Sequence, residues 1–156
     1  MNWSQVLKDS TLNDLPYKIE LDKWGQVIMT PASNKHGNYQ IRIGTKLSLL
    51  KKEGEVISEC SIQTREGVKV ADIAWCSPQF IKKHSFRTPF TRAPEICVEI
   101  ISPSNSKQAL AEKMQLYFEH GATEVWVCDN QGAISFYGIT EKLPRSKLVR
   151  KFPKVI

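Results

Sequence analysis

Two hydrophobic periods alternate along this chain, and the switches between them mark its elements. Residues 2–9 fit a short amphipathic helix. Tyr17-Lys18-Ile19-Glu20-Leu21-Asp22 alternates with the period of a half-buried strand. Lys23-Trp24-Gly25 can turn, and Gln26-Val27-Ile28-Met29 returns as a second strand. After the break at Pro31-Ala32-Ser33-Asn34, with its helix-capping residue types, Ile41, Ile43, Leu47, Leu49 and Leu50 fit the apolar stripe of a helix ending near Gly54. Strands are predicted over 55–64 and 67–76, joined through Arg65-Glu66-Gly67. The stretch 77–94 reads as a loop because it holds Pro78, Pro89 and Pro94. Ile96-Cys97-Val98-Glu99-Ile100-Ile101 reads as a buried central strand. A helix follows to about His120, with Ser102, Ser104 and Asn105 suited to cap it and Gly121 to stop it. Glu124–Cys128 and Ala133–Tyr137 complete the order α-ββ-α-ββ-β-α-β-β. A crossover helix between the strands near 98 and 126 requires a parallel pair. The predicted fold is a mixed α/β (α+β) domain with a central sheet flanked by helices.

Composition narrows this reading. With 156 residues, 41% hydrophobic and 24% charged, the chain suits one compact domain that closes its core without staples. Cys60, Cys76, Cys97 and Cys128 form no CxxC pair and lie in or beside apolar runs, which predicts buried, reduced thiols. The N-terminal residues lack a basic segment followed by an apolar one, and no run approaches a membrane span, so a cytoplasmic protein is expected. The net charge of +6 suggests a polyanionic partner, but it is not spread evenly. Residues 141–156 hold six basic side chains against Glu141, a net +5. We therefore read 1–140 as the domain and 141–156 as a basic C-terminal tail, an arm suited to a phosphate backbone. Lys82, Lys83, Arg87 and Arg92 read as a solvated loop.

Two acids stand in apolar company. Asp72 lies within Val70-Ala71-Asp72-Ile73-Ala74-Trp75, and Glu99 lies in the central strand. Asp is disfavoured in strands, and a carboxylate there is costly unless it is paired or holds a metal. Two such acids on neighbouring strands can converge on one hard cation, Mg²⁺ or Mn²⁺, and such an ion suits phosphodiester hydrolysis. Ala109, Lys113 and Tyr117 share one face of the next helix. Lys113 can therefore reach back over the end of the Glu99 strand to orient water or offset phosphate charge.

These residues carry a resemblance. Ile19-Glu20-Leu21, Trp24 to Pro31, His36, Ala71-Asp72-Ile73, Pro94 to Ser104, Lys113 with Tyr117, and Gly121 to Asp129 together resemble the Uma-type family of restriction-endonuclease-like proteins, within the PD-(D/E)xK nuclease superfamily. The likeness spans about Leu15 to Tyr137. It implies a DNA endonuclease fold with a two-carboxylate metal site, and a homodimer. Asp72 and Glu99 would take the motif acids' places, Lys113 the motif lysine's, and Glu20 would be an outer metal ligand. Three positions depart from the pattern. Ala71 stands where the superfamily name has Pro, Ile101 where E-x-K has Lys, and Ala109 where the family often has Asp.

Other candidates read structurally. His36 suits a helix start or the core, and His84 and His120 suit a loop and a helix end. Trp24, Trp75 and Trp126 fall in strand patterns and are expected in the core. Two rivals to the endonuclease remain: a silent nuclease fold kept for DNA or protein binding, and a hydrolase of other phosphate esters. There is no Gly-x-Ser-x-Gly, Walker or dinucleotide motif to support a further class.

Overall fold

The computed structural model describes residues 1–102 and 106–156. Its elements are α1 (Trp3–Lys8), β1 (Tyr17–Leu21), β2 (Val27–Pro31), α2 (Asn34–Leu50), β3 (Glu55–Thr64), β4 (Gly67–Cys76), α3 (Pro78–His84), β5 (Ile96–Ile100), α4 (Lys107–Glu119), β6 (Glu124–Cys128), β7 (Ile134–Tyr137) and β8 (Lys142–Leu143). Strands β3 to β8 form one six-stranded sheet in sequence order, while β1 and β2 form a separate hairpin. The β5–β6 pair is parallel, with α4 as the crossover, and every other pair is antiparallel. This is the mixed sheet flanked by helices that the periodicity predicts.

Each face of the sheet buries its own apolar layer. Ile96 and Val98 of β5 and Ile73 and Trp75 of β4 meet Tyr39, Ile43 and Leu47 of α2. Cys97, Ala74 and Cys76 point the other way and meet Phe80 of α3 and Tyr117 of α4. The alternation follows from the period of two in a strand. In α2, Ile41 and Leu49 do not join the core. They are exposed, and Tyr39 takes the buried place one turn before Ile43.

Gly67 brings the hairpin onto the sheet. Its φ of +93° lies in the left-handed region, and a Cβ there would sit 2.2 Å from the Leu21 carbonyl oxygen. The end of β1 can therefore press against the start of β4, where the apolar contact of Leu21 with Val68 is sealed by Val6 of α1.

Four expectations are corrected. Residues 78–84 form a helix, because Pro78 sits at its first turn, where no N–H is needed, and the Ser77 side chain accepts the Phe80 N–H. Trp24 is not core. It sits at a turn tip, 74% exposed, with the Lys23 ammonium 4.7 Å from its ring. The cap of α4 is Ser106, whose side chain accepts the Ala109 N–H, while the capping candidates Ser104 and Asn105 lie outside the described residues. The segment 141–156 does not extend as an arm. Leu143, Val149 and Phe152 are buried, Phe152 lies 4.6 Å from the Trp126 ring, and Ile134 donates its N–H to the Lys154 carbonyl. Its charges lie on the outside of a segment whose apolar positions close one face of the sheet.

All four thiols are buried and unpaired. Burial raises each of them, Cys128 to about 11 and Cys76 to about 12. At about pH 8 they stay protonated and shielded, so a thiol-specific disulfide reagent should label none in the native protein and all four in denaturant. Stoichiometric labelling of the native protein would contradict this packing. Among the described residues, no helix is long and apolar enough to cross a membrane.

Candidate active site

The site begins where two strand ladders lapse at the same row. Strands β4 and β5 pair at Trp75↔Ile96, Ala74↔Cys97 and Ile73↔Val98. The next pair in this register would be Asp72 with Glu99, and it does not form. Instead Asp72 Oδ2 accepts the Ile100 N–H at 2.7 Å. On the other side of β4, the pairs Ser58↔Ile73 and Cys60↔Ala71 skip the row of Glu59 and Asp72. Glu59 has a φ of +52°, rare for a residue with a side chain. Glu59, Asp72 and Glu99 thus occupy one row across three adjacent strands, and the ladder opens there.

Three more elements close around that row. Lys18 and Glu20 are two apart on β1 and share a face. Lys18 Nζ lies 2.6 Å from Asp72 Oδ1 and 3.5 Å from Glu99 Oε2. Glu20 Oε1 accepts the Val70 N–H at 2.7 Å and lies 2.7 Å from Lys113 Nζ. Lys113 and Tyr117 are one turn apart on α4. Lys113 Nζ also donates to Glu99 Oε2 and to the Val70 carbonyl, each at 3.0 Å, and the Tyr117 hydroxyl donates to Glu99 Oε1 at 2.7 Å. His36 and Gln40 are one turn apart on α2. His36 Nε2 lies 3.3 Å from Asp72 Oδ1, and Gln40 Nε2 donates to Glu59 Oε1 and to the Asp72 carbonyl.

Burial and charge set the protonation states. Burial pushes the Asp72 carboxyl up, but Lys18 and His36 outweigh it and hold it well below the usual range. Glu20 is likewise pushed up by burial and then lowered overall by Lys113 and Lys18. For Glu99, burial prevails over both lysines, and the nearby Asp72 adds to the rise. Burial disfavours the Lys18 ammonium, yet Glu99, Asp72 and Glu20 together raise it far above its ordinary value. The hydrogen bond to Asp72 raises His36.

The group opens into a cavity of about 750 Å³, roofed by the β1–β2 hairpin and walled by α4. The donors suit a hard cation. Lys18 shows that a positive charge can sit between Asp72 Oδ1 and Glu99 Oε2. One imidazole nitrogen of His36 and one carboxylate oxygen each of Glu59 and Asp72 lie within 4.8 Å of one another. Opposite ligands of one octahedral ion at about 2.1 Å stand roughly 4.2 Å apart.

All four sequence-predicted residues, Asp72, Glu99, Lys113 and Glu20, meet here. Lys18, Glu59, His36 and Tyr117 complete the cluster, and the sequence reading did not assign them to it. Tyr117 is the buried support of Glu99. Tyr117→Phe leaves Glu99 Oε1 short of a donor and should cost about 1–3 kcal/mol in urea unfolding. An unchanged midpoint would deny that support.

The strands β3 to β8 form a mixed sheet with helices on both faces, and its acids on adjacent strands open into a cleft. The fold is similar to that of a solved structure described as "a putative nuclease belonging to DUF820" from Anabaena variabilis, with a TM-score of 0.72, 18% identity, and coverage of 86% of this chain and 84% of that one. The chain belongs to the Uma2 family, described as "Putative restriction endonuclease", whose family model matches residues 9–140. No curated protein matches it.

Proposed function

We propose that this chain is a metal-dependent endonuclease that hydrolyses DNA phosphodiester bonds, with Asp72 and Glu99 holding Mg²⁺ or Mn²⁺. The observation that carries this reading is the opened row of acids, faced by two lysines inside a cavity. Family membership supports the reaction class. When bound, such an ion supplies Lewis acidity for water activation and offsets charge on the phosphate.

The lysines divide the remaining work. An ammonium has three N–H donors. Lys113 meets three acceptors: Glu20, Glu99 and the Val70 carbonyl. It holds the acids in place. Lys18 meets two, Asp72 and Glu99, which leaves one N–H among the described residues to meet a phosphate oxygen. Tyr117 fixes the other oxygen of Glu99. A charged hydrogen bond is worth about 1.5–3 kcal/mol, so Lys18→Met should slow cleavage roughly ten- to a hundredfold. An unchanged rate would remove Lys18 from the mechanism.

The reading is tested by incubating end-labelled DNA with the purified chain in Mg²⁺, in Mn²⁺ and in EDTA. Cleavage with metal that stops in EDTA is the expected result. DNA binding that is equal in EDTA, with no cleavage under any condition, would favour the silent nuclease fold. Ala109, which lines the cavity without an acid, is the feature consistent with that outcome.

A further inference from the structure

We infer that His36 and Glu59 complete the ion's coordination at Asp72, which makes the centre a mixed nitrogen–oxygen site for a divalent transition ion of the Mn²⁺ class rather than an all-oxygen Mg²⁺ site. This rests on the metal-dependent reading above and specifies its ligand set.

Four observations converge. Glu20, the ligand implied by family resemblance, is already committed: the same oxygen takes the Val70 N–H and the Lys113 ammonium. His36, Glu59 and Asp72 present ligand atoms within 4.8 Å of one another, close enough to draw onto one ion. Asp72 Oδ1 and His36 Nε2 stand 3.3 Å apart, and the Lys18 ammonium that holds Oδ1 at 2.6 Å marks the place an incoming ion would take.

The fourth is that the geometry of this set is held from outside it. Gln40 ties Glu59 Oε1 at 2.7 Å to the Asp72 carbonyl at 2.8 Å through one amide nitrogen. His36 starts the helix that carries Gln40, and its own N–H is fixed by the Ser33 hydroxyl at 3.1 Å. Glu59 keeps its left-handed backbone in the skipped row, a conformation that persists only where its surroundings over-determine it.

The chemistry of the set then selects the ion. Mg²⁺ keeps to oxygen ligands and water, whereas an imidazole nitrogen suits transition ions. One nitrogen beside the carboxylates disfavours Mg²⁺ and admits divalent transition ions, for which Mn²⁺ is the spectroscopic probe.

The test uses the full chain and Mn²⁺ alone, without DNA. Electron spin echo spectra of bound Mn²⁺ should show coupling to one imidazole ¹⁴N, and His36→Gln should abolish it. Calorimetry or Mn²⁺ titration should show affinity reduced about tenfold or more in His36→Gln and in Glu59→Gln, on the scale at which disturbed metal shells lose affinity. Glu20→Gln should leave the ¹⁴N coupling in place. Glu59 is exposed, so its variant should fold even if His36→Gln does not. Mg²⁺ should displace Mn²⁺ poorly from the wild type and more readily from His36→Gln. Saturable Mn²⁺ binding without ¹⁴N coupling, insensitive to both substitutions, would overturn the inference while the metal-dependent reading stands. Loss of that coupling in Glu20→Gln instead would also overturn it. No saturable Mn²⁺ binding at all would remove both.

Discussion

Asp72→Asn should reduce metal-dependent DNA cleavage by at least about 10²–10³-fold, the scale lost when one electrostatic stabiliser of a charged transition state is removed. Asp72 is the junction of the site: one oxygen meets Lys18 and His36, and the other takes the Ile100 N–H. Asparagine keeps an acceptor for Ile100 but removes the charge, so the fold should persist. Asp72→Ala leaves the buried Lys18 without its nearest partner and Ile100 without an acceptor. That should cost about 3–5 kcal/mol, as broken buried pairs do. Single-turnover cleavage and urea melts of the two variants separate chemistry from stability. The pH dependence has a definite sign. The folded Asp72 carboxyl is held below its ordinary 3.8, so it stabilises the fold above that pH, and the contribution fades as pH falls toward the folded value. Asp72→Asn should therefore flatten the acid limb of the stability profile. Wild-type cleavage rates in Asp72→Asn would exclude the site.

The largest stability effect away from the site should come from Glu124→Ala. This carboxylate is almost wholly buried and has four donors: Trp126 Nε1, the Ser146 hydroxyl, and the N–H groups of Lys147 and Leu148. It clips the C-terminal segment to β6, and Val149 and Phe152 follow it into the core. Removing it strands those donors and loosens the segment, at a cost of about 3 kcal/mol or more. For a chain of this size that lowers Tm by roughly 10 °C. Hydrogen exchange should quicken across 146–149. Unchanged exchange there would show that apolar packing alone holds the segment.

The two buried acids were legible in the sequence because a carboxylate in an apolar strand has few explanations. Lys113 and Tyr117 were legible as neighbours on one helix face, although the division of roles was not. Counting acceptors around each ammonium needs coordinates, and that count points to Lys18. Glu59 was within reach. The turn between 64 and 67 sets a register that places residue 59 opposite 72, so hairpin arithmetic alone would have paired the acids. His36 reads as structural in the sequence because a lone histidine carries no partner there. Its partner lies 36 positions away, and Gln40 one turn on gives the pair one face toward β4. The C-terminal segment reads as an arm in the sequence because its charges outnumber its anchors. Leu143, Val149 and Phe152 are spaced too irregularly to signal an element, and the acid that holds them lies on β6. Trp24 reads as core in the sequence because alternation cannot distinguish a strand from the turn that ends it.

The most direct test of the metal centre is a crystal of this chain soaked in Mn²⁺. Anomalous difference density bonded to Asp72, with Glu99 turned toward the same cluster, is the expected result. An Asp72 that keeps only its Lys18, His36 and Ile100 contacts, with manganese bound elsewhere or nowhere, would contradict it.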